Sequence, residues 1–323
     1  KYEREERVVR MSRKTNIIKL LSIHELNAPA REFYNIFLSV FFLKVTNYDI
    51  RAIALFYIVS YIVSPFVYLL LGNRIKQGHN TPIYRVGIIL NVIFLGMLVI
   101  VKDNLVDYIH LTAILSGIST YIYWLPYESL TCEIDQNRNL FIGIQEGIEK
   151  LLGIILPIVM GICITASSYE IMLIIISVIT IISLILSISL DKDKTDIKQK
   201  LEMKNFHKKI CKDKSFYRVY IGEFFRGITH GGAFTILIQI ILFLNIDSEL
   251  NYGTFNSIIA LLTVIFSIII SKCRENQKQN NYITLLSGMV FIISIIMFFI
   301  DNDILWIVYS GVYNILYRLI HVV

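Results

Sequence analysis

The sequence predicts an all-α polytopic membrane protein with about ten transmembrane helices and a cytoplasmic N-terminus, and three observations predict it. Residues 52–72, 86–101, 171–190, 255–271 and 282–300 contain no Asp, Glu, Lys or Arg. A helix crosses the roughly 30 Å hydrocarbon core with about 20 apolar residues, and runs this continuous lack the alternation of a barrel strand. The second observation is charge asymmetry. Segments 1–19, 72–85, 128–140, 191–218 and 271–281 hold 24 of the 31 Lys and Arg residues, whereas the intervening segments 44–51, 102–107, 166–170, 245–252 and 301–303 hold 3. Short basic loops stay on the cytoplasmic side. The third is the longest hydrophilic gap, 191–218, which divides the apolar stretches into two groups.

Taken in order, the expected helices are 17–43, 52–71, 86–101, 108–127, 141–165, 170–190, 219–244, 254–271, 282–300 and 304–323. The first is the least regular. His24, Glu25, Asn27, Arg31 and Glu32 surround Pro29, and Asn27 before Ala-Pro also fits a helix N-cap. A helix starting there leaves 33–43 as about half a span, so the longer helix is expected. Helices two and four supply aromatics, including Tyr57, Tyr61, Tyr68, Tyr121, Tyr123, Trp124 and Tyr127. These suit either an amphipathic ligand or ordinary packing and interface anchoring. Helix five carries Glu146, Glu149 and Lys150; Glu146 and Lys150, four residues apart, read as a structural ion pair. Helix seven holds Glu223, Arg226 and His230 on one face among four glycines. Either they form a structural pair with a bonded histidine, or they line a central site.

A shift of 198 residues lays Ile23-His24-Glu25 on Ile221-Gly222-Glu223. It also pairs helix one with helix seven, each with a polar, interrupted first half. Interrupted polar spans at matching repeat positions are the best sequence pointer to a transporter's binding site. The expected organisation is an N-terminal six-helix bundle over 1–190, a cytoplasmic basic linker over 191–218, and a C-terminal bundle over 219–323 that breaks off in its fourth helix.

At this level the chain resembles the Major Facilitator Superfamily along nearly its whole length. Between helices two and three the family has a Gly-x-x-x-Asp-Arg-x-Gly-Arg-Arg type loop; residues 72–80 read GNRIKQGHN, which keeps glycines and basic charge and lacks the carboxylate. Segment 121–142, YIYWLPYESLTCEIDQNRNLFI, is similar to the end of helix four and the following Asn-Arg turn. Segment 246–256, IDSELNYGTFN, is similar to the entry to helix eight. Gly153, Pro157 and Gly161 form a thinned version of the helix-five pattern of family drug:proton antiporters; small residues and Pro also serve plain helix packing.

The resemblance implies two six-helix bundles, a chain continuing for about two further helices, and secondary active transport of a small solute by alternating access. Proton coupling is expected over sodium because the polar set combines carboxylates with His. Glu223 is the expected proton carrier, with Arg226, His230, Glu25, Arg31 and Glu32 in substrate binding or coupling. Export of an amphipathic compound is preferred on the helix-five glycines. A cation-coupled sugar or nutrient symporter is the alternative, followed by a non-transporting receptor. The expected partners are membrane lipids, the solute and the coupling ion, with the protein a monomer. The net charge of +6 is accounted for by basic loops on anionic lipid rather than nucleic acid.

Catalysis is not expected, since HExxH, GxSxG and P-loop patterns are missing from the sequence. The four cysteines show no CxxC spacing, so neither metal nor cofactor is expected. A composition rich in Ile, Asn and Lys suggests a bacterial plasma membrane.

Overall fold

In the computed structural model the described residues are 15–76, 79–132, 134, 138–191, 212, 217, 233–246, 248–272, 279–297 and 299–322. Among them the chain is built of helices. The first span, α1, covers 15–45 in pieces: helix over 15–26, a turn at Asn27, helix Ala28–Glu32, a π-helical turn Phe33–Phe37 and helix Leu38–Val45. Then come α2 (Ile50–Lys76), α3 (Asn80–Val101), α4 (Ile109–Cys132), α5 (Arg138–Ala166) and α6 (Tyr169–Ile188). After the linker follow α7 (Ala233–Ile246), α8 (Glu249–Lys272), α9 (Gln279–Met297) and α10 (Asp303–Val322). Five helices among the described residues are long and apolar enough to cross a membrane: α2, α3, α5, α6 and α8.

The burial pattern is inverted relative to a water-soluble bundle. On α6 the buried face is Met172, Leu173, Ile176, Thr180, Ser183 and Ser187, while Ile174, Val178, Ile182 and Ile185 are exposed. Lipid tails solvate isoleucine and valine as well as a protein core does, so helices pack instead through small and hydroxyl-bearing residues. The same logic holds on α2, where Ser60 and Ser64 are buried and Ile62, Phe66 and Leu70 face outward. Ser60 Oγ donates to the Ala113 carbonyl of α4 at 2.9 Å.

By contacts the chain forms two compact units. One comprises Lys1–Arg31, Phe41–Glu146 and Glu170–Thr235; the other comprises Glu32–Val40, Gly147–Tyr169 and Ile236–Val323. In the first unit α4 is the central helix, packed extensively on both α2 and α3. Close approach on the α3 side depends on Gly87, where a Cβ would lie 2.7 Å from the Ile122 carbonyl oxygen and the Tyr123 Cα. Also in this unit, the C-terminal end of α6 is held by side chains of α1 and α3. Arg85 donates to the carbonyls of Ser187 (2.9 Å), Ile188 (3.2 Å) and Leu190 (2.7 Å). Lys19 Nζ reaches the Ser189 carbonyl at 2.7 Å, and Thr81 Oγ1 reaches that of Asp191 at 3.1 Å. These donors satisfy the carbonyls that a helix end leaves open, and the cations suit the negative end of its dipole.

In the second unit, the Tyr252 hydroxyl of α8 donates to the Ile36 carbonyl at 3.3 Å. Gln239 of α7 bonds both Asn35 O and Ser39 Oγ.

Gly87→Leu overpacks a backbone-to-backbone contact and should cost about 1–3 kcal/mol of stability. Gly96→Leu on the same helix meets open space and should stay within about 0.5 kcal/mol; thermal unfolding in detergent reads both. Arg85→Leu strips the α6 terminus of a charged multiple donor and should cost about 1.5–3 kcal/mol by the same measurement.

Candidate functional site on the first and fourth helices

The site begins where α1 breaks. Pro29 has no N–H to return to the carbonyl one turn back, and the helix turns at Asn27. The Asn27 N–H donates to the His24 carbonyl at 3.1 Å, and the Asn27 carbonyl accepts from the Arg31 N–H at 3.1 Å. Side chains replace the interrupted ladder. Asn27 Nδ2 donates to the Ile23 carbonyl at 2.7 Å and to Ser183 Oγ of α6, which itself donates to the Ile23 carbonyl at 3.2 Å. The Arg31 guanidinium folds back to donate to the His24 carbonyl. Asn27 and Ser183 are almost completely buried, so this repair belongs to the interior of the unit. The helix expected from residue 17 is therefore present, and Asn27 breaks it instead of starting it.

The break turns His24 into a cluster of aromatic rings. Its imidazole is fully buried and stacks on Tyr127 with centroids 3.8 Å apart and planes at 5°. Trp124 meets it edge-on at 5.4 Å. The Tyr123 hydroxyl lies 2.9 Å from His24 Nδ1, and the Tyr84 hydroxyl donates to Tyr123 at 3.4 Å.

Beside this ring stack stands a charged pair. Arg31 Nη2 lies 3.7 Å from Glu25 Oε2, with 14% and 11% of the two side chains exposed. The Arg31 guanidinium carbon sits 5.9 Å from the Trp124 ring centroid, within cation–π range. The Glu25 contact is longer than a hydrogen bond and acts as an ion pair. Charges inside a span are costly, and they persist where they pair and where function needs them.

Of the residues expected at a central site, the structure brings together Glu25 and Arg31, with His24 beside them. Glu32 is half-buried one residue further on, at the start of the second unit. Glu223, Arg226 and His230 lie outside the described residues. Glu146 and Lys150 lie one turn apart on α5, the first exposed and the second half-buried. Of the aromatics of helices two and four, Tyr123, Trp124 and Tyr127 are the ones that lie against His24. Tyr84 and Ser183 went unread in the sequence. The available signal for Tyr84 was Gly87 one turn later, which admits the α4 backbone at Tyr123.

The second unit contains a close contact between α5 and α8. A Cβ at Gly161 would lie 2.7 Å from the Glu249 carbonyl oxygen, and one at Gly253 would overlap the Pro157 carbonyl. Pro157 and Gly161 of the helix-five pattern thus receive α8, whereas Gly153 meets open space.

Comparison with known proteins gives a consistent picture. The chain is 23% identical over 283 residues to the uncharacterized protein YqgE of Bacillus subtilis (strain 168), covering 85% of this chain and 64% of that protein. It is 26% identical over 148 residues to an uncharacterized protein in the sodM 3' region of Geobacillus stearothermophilus, covering 45% of this chain and 69% of that one. The chain thus spans about two thirds of the length of these relatives. Among solved structures it is similar to the nucleoside transporter NupG, with a TM-score of 0.70, 14% identity, and 94% of this chain matched to 80% of that one. It is also similar to a bacterial metal transporter (TM-score 0.60, 14% identity, 95% and 79% covered) and to the peptide transporter POT in complex with sulfate (0.58, 12%, 94% and 80%). A model of the Major Facilitator Superfamily matches residues 25–319. That match runs from within the broken α1 to within α10, and this multi-pass membrane protein belongs to the Major Facilitator Superfamily.

Proposed function

We propose that this membrane transporter is a proton-coupled secondary carrier that moves an amphipathic solute across the bacterial plasma membrane by alternating access. The carrying observation is the Glu25–Arg31 pair beside buried His24, set at a break in the first span. A broken span holding ionisable side chains combines a ligand-sized concentration of polar groups with a backbone able to change shape. A carboxylate in poorly hydrated surroundings is also the simplest group to trade a proton against a helix movement. In the proposed organisation, bundles 1–190 and 219–323 rock about this site, and Glu223, Arg226 and His230 supply the matching set from helix seven.

The α5–α8 contact supports alternation. With basic loops inside, the Gly161 end of α5 and the Gly253 end of α8 face outward, so their backbone contact closes the outer side. Helices that meet through glycines separate without withdrawing side chains from one another. The same Gly/Pro surface supports export. The solved structures it resembles are transporters of nucleosides, a metal and peptides, a spread that leaves the cargo to the chemistry of the site.

The reading is tested in proteoliposomes with a trapped pH dye. Pools of amphipathic cations, sugars, amino acids and peptides are added across a proton gradient. One pool should drive proton movement that Glu25→Gln and Glu223→Gln each abolish. Proton movement unchanged in both variants removes the coupling assignment, and silence of every pool with folded protein removes the carrier. In addition, Gly253→Leu blocks the α5–α8 contact, so labelling of the half-buried Cys163 by an impermeant maleimide from outside should rise several-fold. An unchanged rate contradicts the outer-closure role.

A further inference from the structure

Resting on the transporter reading, we propose that Glu25 and the face of Trp124 form a recognition site for an organic cation, and that Arg31 fills this site as an internal placeholder. A carboxylate next to an electron-rich ring face is a receptor for a cationic group of low hydration. That receptor already holds one: the guanidinium of Arg31, 3.7 Å from the carboxylate and 5.9 Å from the indole centroid. A ligand cation therefore competes with Arg31 for partners the protein has built.

Two features favour a cation over an anion. The first is the charge of the segment, where Glu25 and Glu32 outnumber Arg31, so an added cation balances the set and an added anion worsens it. The second is the way Arg31 is tethered. Its guanidinium also donates to the His24 carbonyl, which sits at the break in α1. When a ligand takes Glu25, Arg31 retains that partner and its charge remains solvated by a carbonyl dipole. An anion drawing Arg31 away would break the carbonyl bond as well and separate Arg31 from the Glu25 charge, a larger penalty for side chains this buried. Tyr84, Tyr123 and Tyr127 are buried behind Trp124 and pack against one another and against the indole, which leaves half-buried Trp124 as the ring a cation would meet. Once the ligand leaves, Arg31 returns to Glu25, so the empty carrier changes state without an uncompensated carboxylate.

Equilibrium binding to the purified protein tests this without requiring flux. The probes are radiolabelled tetraphenylphosphonium, benzyltrimethylammonium and benzamidine, with benzoate as the anionic control. Arg31→Gln removes the competitor and should tighten at least one cation by about tenfold or more. Arg31→Lys should bind like the unaltered protein, and Glu25→Gln in the Arg31→Gln background should abolish the gain. No cation tightening in folded Arg31→Gln, or tightening of benzoate instead, overturns the proposal. Should Arg31→Gln fail to fold, Trp124→Leu decides: a loss of about tenfold in cation affinity is expected, and unchanged affinity overturns it. Gradient-driven flux of an uncharged or anionic pool with no cation binding removes the placeholder and leaves the transporter standing. Cation binding in the expected pattern without flux keeps the site and removes the carrier.

Discussion

In hydrocarbon a backbone carbonyl without a donor costs several kcal/mol, and this constraint explains the shape of the first span. Pro29 has no N–H for the Glu25 carbonyl, and the turn at Asn27, whose N–H goes to the His24 carbonyl at 3.1 Å, releases the carbonyl of Ile23. The Asn27 side chain and Ser183 donate to the Ile23 carbonyl, and Arg31 adds a second donor at the carbonyl of His24. Arg31 also brings a charge to the break, and the Glu25 carboxylate lies 3.7 Å from it. The aromatic wall of α4 then covers what remains. The polar site of the first unit is thus gathered at the turn that breaks α1.

The rest of the unit serves to hold that break in place. Gly87 lets α3 and α4 meet at backbone distance, which brings Tyr84 within reach of Tyr123 and completes the chain of hydroxyls to His24. Arg85, on the same helix as Tyr84, fastens the end of α6, the helix that contributes Ser183. Displacing α6 would remove the partner of Asn27, so stability at the helix end and geometry at the site are mechanically connected.

Much of this fold was legible in the sequence, because a span announces itself by length and lack of charge. Expected 141–165 became Arg138–Ala166, and expected 282–300 became Gln279–Met297. Glu25 and Arg31 were legible because charge in an apolar run is conspicuous. The roles of Ser183 and Tyr84 were not, since one serine in an isoleucine-rich helix and one tyrosine near a loop have no signal until their neighbours are known. Asn27 was ambiguous for a physical reason: the carboxamide that caps a helix start also repairs a helix break, and local sequence does not distinguish the two. The helix-seven set around Glu223 falls outside the described residues, and its proposed role rests on the internal repeat.

In the proposed cycle Glu25 changes partner when the carrier meets its solute. Infrared difference spectroscopy of the protein in membranes, recorded with and without the transported compound, observes that carboxyl directly. The expected result is a carboxylate or carboxyl band that shifts on solute addition and vanishes in Glu25→Gln. A difference spectrum identical in the two proteins would contradict it, placing the working carboxylate elsewhere and leaving the first-span pair as a repair of the broken helix alone.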